Sequence, residues 1–185
     1  MIASTALLLR EKGMSGTSFG DVFEHSGAPR GSIYHHFPGG KVQLVEEAVR
    51  FAGDYIAGTI ERAGGDGGDP VAVLRAFIKR WKATLEDSDF RAGCPVVAVA
   101  VEAQDDDDRA PVIAAAEAFA AWRSALDRLL RAHGVPAARS RRLATTTVAA
   151  IEGAVVMCRA ERDIRPLMDV SRELEGALAL ALAEA

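Results

Sequence analysis

At 185 residues, with hydrophobic residues at 49%, the chain can bury a substantial core and has room for one large helical domain or a small domain joined to a larger one. No apolar run approaches the ~20 residues that a membrane span needs, and the short apolar opening Ile2 to Leu9 lacks the basic leader of a signal peptide, so no membrane partner is expected. The net charge of −4 is unevenly placed: residues 1–50 carry five Lys/Arg against five Asp/Glu, which leaves the acidity to the remainder, and a neutral amino-terminal region is not that of a strong nonspecific DNA binder.

Strand cues are few, whereas Ala, Leu, Arg and Glu recur at helical spacing, so an all-α protein of about nine helices is expected. The first helix should run from about Ala3 to Lys12, bury Ile2, Ala6 and Leu9, and end at Gly13. Next comes TSFGDVFEHSGAPRGSIYHHFPGGK, Thr17 to Lys41. Ser18 is a good N-cap with Asp21 three positions on, and Phe19, Val22 and Phe23 follow at helical spacing. Gly27 suits the left-handed position that ends this helix, Pro29 opens the next, and Pro38 with Gly39-Gly40 stops it. Two helices of about two turns around a short Gly-containing turn match the helix-turn-helix unit, whose second helix enters the DNA major groove.

From Pro29 to Lys41 there are two cations and no acid, so the field is locally positive despite the neutral balance around it. Side chains of the second helix not needed for packing are Arg30, Ser32, Tyr34, His35 and His36. Arg30 can reach a guanine edge or a phosphate, Ser32 and Tyr34 can donate to phosphates, and the histidines can bond to either. Gly31 would let backbone approach a phosphate. Adjacent helical residues point about 100° apart, so His35 and His36 cannot share one partner, and one of them covering Phe37 is the alternative. For the same reason the pair makes a poor metal site.

Thr17, the Ser26-Gly27 turn, Arg30-Gly31-Ser32, the Tyr34-His35-His36-Phe37 run and Lys41 resemble the DNA-binding segment of TetR-family transcriptional regulators. The Gly27-to-Ser32 string, the doubled glycine before Lys41 and Gly93-Cys94-Pro95-Val96 are most similar to the LmrA/YxaF-like branch. The resemblance implies contact with DNA by Thr17 and Ser18 beside the second helix, and a phosphate contact by Lys41 at the start of the following helix. Family members usually carry a basic extension ahead of the first helix. A chain starting at Met1 is expected to make fewer minor-groove and phosphate contacts.

A longer helix from Lys41 to about Arg62 carries Leu44, Val45, Ala48, Ala52, Tyr55, Ile56 and Ile60, and the resemblance makes it the connector between DNA-binding and regulatory domains. That divides the chain into residues 1–46 and 47–185. The AGGDGGD loop has glycines but no preceding strand and no following Lys-Ser/Thr, so a phosphate cradle is not expected. Asp69 then caps a helix opened by Pro70, with Val71, Leu74, Phe77, Ile78, Trp81 and Leu85 on one stripe. The alternating valines of Gly93 to Ala103 suggest a strand, but no second strand exists to pair with it and a helix is preferred. Asp105 to Asp108 reads as a solvated turn and helix cap rather than a cation site. The helix it opens, to about His133, carries Val112, Ile113, Ala116, Phe119, Trp122, Leu126, Leu129 and Leu130. Cys94 and Cys158 have no partner at metal spacing and read as buried free thiols, with a redox-sensing pair as the alternative.

The last two helices, about Pro136 to Arg162 and Leu167 to Ala183, hold the dimer candidates. Ala150, Gly153 and Ala154 would allow close approach of helices, and Leu167, Val170, Leu174 and Leu178 recur at three- and four-residue spacing. In regulators of the resembled family, two such helices pair with their two-fold mates. The resemblance further implies a cytoplasmic homodimer that binds a palindromic operator in double-stranded DNA and is released by a small apolar or aromatic effector. Phe77, Trp81, Val97, Val101, Phe119 and Trp122 are candidates to line the effector pocket, and could equally be core. No cofactor or metal is called for. No HExxH, Glu-x-x-His pair or Ser-His-Asp ordering supports an enzyme. A dimeric small-molecule-binding protein without DNA-binding activity is the competing reading.

Overall fold

A computed structural model describes residues 1–29, 31, 35–65, 67–102 and 109–185. Among them lie eight helices and no strand: α1 (Ile2–Lys12), α2 (Phe19–Ser26), α3 (Gly40–Gly64), α4 (Pro70–Asp87), α5 (Pro95–Glu102), α6 (Arg109–Ala132), α7 (Ala137–Glu161) and α8 (Arg165–Ala183). The ninth expected helix is the second of the helix-turn-helix. Of its residues His35 and His36 are helical, while Arg30 and residues 32–34 lie outside the described residues, as does the Asp105–Asp108 run. Close contacts divide the chain into two compact units, residues 1–55 with 93–119 and residues 56–92 with 120–185.

In the first unit α1 buries Thr5, Ala6 and Leu9. It ends at Gly13, whose φ of 71° is in the left-handed region. A Cβ there would sit 1.9 Å from Glu102 Oε1, so the position needs glycine for space as well as for φ. Glu102, at the end of α5, accepts the Ser15 backbone N–H at 2.9 Å. At the other end of α5 the Gly93 N–H donates to the Arg10 carbonyl at 2.7 Å, and Arg10 Nε returns a bond to the Gly93 carbonyl at 3.1 Å. The valine-rich stretch is therefore helical, fastened to α1 at one end and to the turn after α1 at the other. Helix formation satisfies its backbone internally, which a lone strand cannot do.

The start of α6 departs from expectation. Pro111, Ala114, Ala115 and Ala118 are its buried face, while Val112, Ile113 and Ala116 are exposed. The expected stripe followed the bulky residues, but the contact is made by small ones: a Cβ on Gly53 of α3 would lie 2.6 Å from the Ala118 Cβ. Backbones this close leave room only for alanine. Arg50 forms an ion pair with Glu117 beside the same contact.

In the second unit Asp69 caps α4, accepting from the Val71 and Ala72 N–H groups at 3.1 Å each, with Pro70 in the first turn. Leu74, Ile78, Trp81 and Leu85 form its buried stripe. Ser140 in the first turn of α7 is fully buried and its Oγ donates to the Asp127 carbonyl and carboxylate, at 3.0 and 2.6 Å, which ties α7 to α6. Helix α7 is long and apolar enough to cross a membrane by length and composition alone, with a window of mean hydropathy 1.3. The run-length reading missed it because threonines and Glu152 interrupt the apolar residues. Its Leu143, Ala144, Ile151, Ala154 and Val155 are core of this unit.

Candidate nucleic-acid interface and apolar pocket

The turn region of the amino-terminal helices is built by hydrogen bonds near its surface over an apolar floor. Val22, Phe37 and Leu44 form that floor, with Ile2, Leu8, Phe19 and Phe23 packed on it. Ser18 and Asp21 make a reciprocal capping box: the Asp21 N–H donates to Ser18 Oγ at 3.2 Å and the Ser18 N–H donates to Asp21 Oδ2 at 2.9 Å. The Lys12 ammonium pairs with the same carboxylate. Hydrogen bonding from Lys12, then from the Ser18 hydroxyl and amide, holds the Asp21 carboxyl far below its ordinary value. Gly27 ends α2 at φ 67°, ψ 10°, its N–H donating to the Phe23 carbonyl at 2.9 Å.

His35 and His36 are both exposed, with ring centroids 5.3 Å apart and planes at 76°, so they diverge as their spacing requires. Gly31 has nothing within 4 Å of an added Cβ and presents bare backbone at the surface. Lys41 is half-buried at the start of α3. Thr17 corrects an expectation. It is 2% exposed and its hydroxyl donates to the Gly13 carbonyl at 2.6 Å, so the side chain braces the approach to α2 instead of facing a ligand. Ser18 is exposed and serves as the cap. Arg30, Ser32 and Tyr34 lie outside the described residues.

The second unit contains an apolar pocket with about 620 Å³ of empty space, including the part open to solvent. Ile56 and Ile60 of α3, Phe77 of α4 and Trp122, Leu126 and Leu129 of α6 form much of its wall. Thr147, Ile151 and Glu152 of α7 and Leu178 of α8 complete it. Of the residues named from the sequence as pocket candidates, Phe77 and Trp122 line it. Trp81 is buried and stacks edge-on against Phe77, centroids 6.4 Å apart, outside the lining. Val97, Val101 and Phe119 belong to the first unit and do not line this pocket, and Val101 is 71% exposed. The aliphatic majority of the lining was missed because an aromatic-first reading passes over Leu and Ile. The polar pair on α7 could have been noticed as interruptions of its apolar face.

The first family model, bacterial regulatory proteins of the tetR family, matches residues 2–48. The second, the carboxy-terminal domain of LmrA/YxaF-like transcriptional regulators, matches residues 70–173, more than half of the chain. The chain belongs to the TetR family. An HTH-type transcriptional regulator of Mycobacterium tuberculosis is 45% identical over 188 residues, covering 100% of this chain and 95% of the relative. The HTH-type transcriptional regulator LmrA of Bacillus subtilis is 31% identical over 172 residues, covering 92% and 90%. Among solved structures, the regulatory protein TetR from Rhodobacter sphaeroides superposes with a TM-score of 0.79 at 27% identity, covering 95% of this chain and 96% of that one. As a TetR-family member the chain is a transcriptional regulator and not an enzyme, and its amino-terminal helices are a DNA-binding helix-turn-helix.

Within this TetR-family chain the dimer candidates divide. Ala154, Leu167, Leu174 and Leu178 are buried in their own unit, Leu178 against the pocket, so these four are corrected from interface to core. The leucine spacing on α8 is the signature of a buried stripe as much as of an interface. Gly153 is exposed, and Ala150 and Val170 are half-buried. The outward apolar residues of this pair of helices are instead Val156 and Met157 on α7 and Leu180 on α8, the last 55% exposed. Gly153 and Gly176 have nothing within 4 Å of an added Cβ. Cys94 and Cys158 are buried thiols outside any disulfide, and burial pushes the Cys158 thiol up, which keeps it protonated and poorly reactive.

Proposed function

We propose that this TetR-family regulator is a cytoplasmic homodimeric repressor that binds a palindromic operator and is released by a small apolar or aromatic effector. The observation that carries the reading is an open, largely apolar pocket on the same chain as a capped helix-turn-helix. Residues 1–46 bind DNA through Ser18, Arg30, Gly31, Ser32, Tyr34, His35, His36 and Lys41. The connector runs from about residue 41 to 62, and residues 47–185 hold effector and partner. The outward faces of α7 and α8, with Ala150, Gly153, Val156, Met157, Val170 and Leu180, meet their two-fold copies.

A two-turn recognition helix reads few base pairs, so the second half-site supplies specificity. The two recognition helices then stand roughly 34–36 Å apart, one turn of DNA, or a multiple of that spacing. An effector that binds better to a state with another spacing lowers operator affinity by the ratio of its affinities for the two states. Fluorescence-anisotropy titration of DNA from the gene's own upstream region tests this. Wild type binds an inverted repeat over random DNA, Tyr34→Ala and Lys41→Ala weaken it, and Lys41→Ala shallows the salt dependence by about one counterion per site. Equal affinity for operator-region and random DNA, with no site recovered by selection from genomic fragments, overturns the repressor reading.

A further inference from the structure

The pocket wall is chemically lopsided. Of its lining residues only Thr147 and Glu152 are not apolar, both stand on α7, and none is Lys, Arg or His. Thr147 is 4% exposed, and Glu152 is half-buried with its Oε2 atom shut off from solvent. A polar group buried this far gives up bonds to water, and in a lined cavity a ligand can return one. Glu152 places a carboxylate at the same wall, where the apolar surroundings lower the effective dielectric and strengthen its field. An entering carboxylate meets repulsion there and no lining cation. An entering ammonium meets attraction and an acceptor.

We propose that the pocket selects an apolar molecule carrying a protonated amine, with the body among Ile60, Phe77, Trp122 and Leu126, the amine turned to Glu152 and Thr147, and that it excludes carboxylic acids. The proposal rests on the pocket being the effector site, and its test separates the two. Three probes share one body and differ in one end: 4-phenylbutylamine, 4-phenylbutan-1-ol and 4-phenylbutyrate. Isothermal titration calorimetry at pH 7 is carried out on full-length wild type, Glu152→Gln, Thr147→Val and the pocket-filling Leu126→Trp. The expected wild-type order is amine, alcohol, carboxylate, with roughly tenfold between amine and alcohol. Glu152→Gln brings the amine close to the alcohol and improves the carboxylate, Thr147→Val weakens amine and alcohol together, and Leu126→Trp abolishes all three.

Alcohol binding that equals or exceeds amine binding in wild type overturns the charge selection and leaves the effector pocket standing. So does an unchanged order in Glu152→Gln. If none of the three binds wild type, or if Leu126→Trp still binds them, the pocket reading falls and the selection with it. The wild-type order alone decides the matter should either α7 variant fail to fold.

Discussion

Asp21 joins three functions in one carboxylate: it closes the capping box with Ser18, receives the Lys12 ammonium, and so fixes the entry to α2. Its proton affinity is lowered in the folded state, so it binds a proton more weakly there than when unfolded. That contribution to stability is complete above the ordinary value of 3.8 and is lost as pH falls through the depressed folded value. Urea unfolding of wild type and Asp21→Asn should therefore differ most near pH 7, with the gap closing progressively below pH 3.8. A constant gap across that range would show that the carboxylate charge does not act in the cap. Thr17 makes a related point about reading single residues. It stands beside the cap in the motif, but its hydroxyl is committed to the Gly13 carbonyl, a bond across four residues of turn that no spacing rule announces.

Between elements, the contact of Gly53 with Ala118 sets how closely α3 and α6 approach within the first unit. Gly53→Ala would gain about 1 kcal/mol of helix propensity. A Cβ only 2.6 Å from another lies well inside van der Waals contact, however, and overpacking costs about 1–3 kcal/mol. A net loss of stability is expected on thermal unfolding, with part of it recovered in the double variant Gly53→Ala, Ala118→Gly. Added stability from Gly53→Ala alone would mean that the helices can separate without penalty. Most elements were legible from caps and stops: Ser18, Gly27, Asp69-Pro70 and Gly13 each mark an observed boundary. The buried face of α6 was not, because hydrophobic periodicity weights side-chain bulk and the packing there selects alanine. The pocket was half legible for a similar reason. Phe77 and Trp122 stand out in a list of residues, whereas Ile56, Ile60 and Leu129 resemble any core.

For the whole molecule the decisive distinction is between leucines that hold a protomer together and those that face outward. Leu174 is 5% exposed and Leu180 is 55% exposed, although both lie on α8. Leu174→Ala should cost about 2–5 kcal/mol of folding stability by leaving a cavity. Leu180→Asp should leave the protomer folded, because its side chain already meets solvent there. If α7 and α8 join two copies, Leu180→Asp should shift sedimentation from dimer to monomer, and operator binding should fall with it. A dimer unaffected by Leu180→Asp and by Val156→Asp would move the interface elsewhere.

Trp122 is one of only two tryptophans in the chain, and it lines the pocket while Trp81 is packed outside the lining. Its indole emission responds to the polarity and quenching power of whatever lies against it, so the protein carries its own optical probe of occupancy. A Trp81→Phe variant would reduce the spectrum to that single fluorophore, and unlabelled compound libraries could then be screened by colour shift and lifetime without any DNA present.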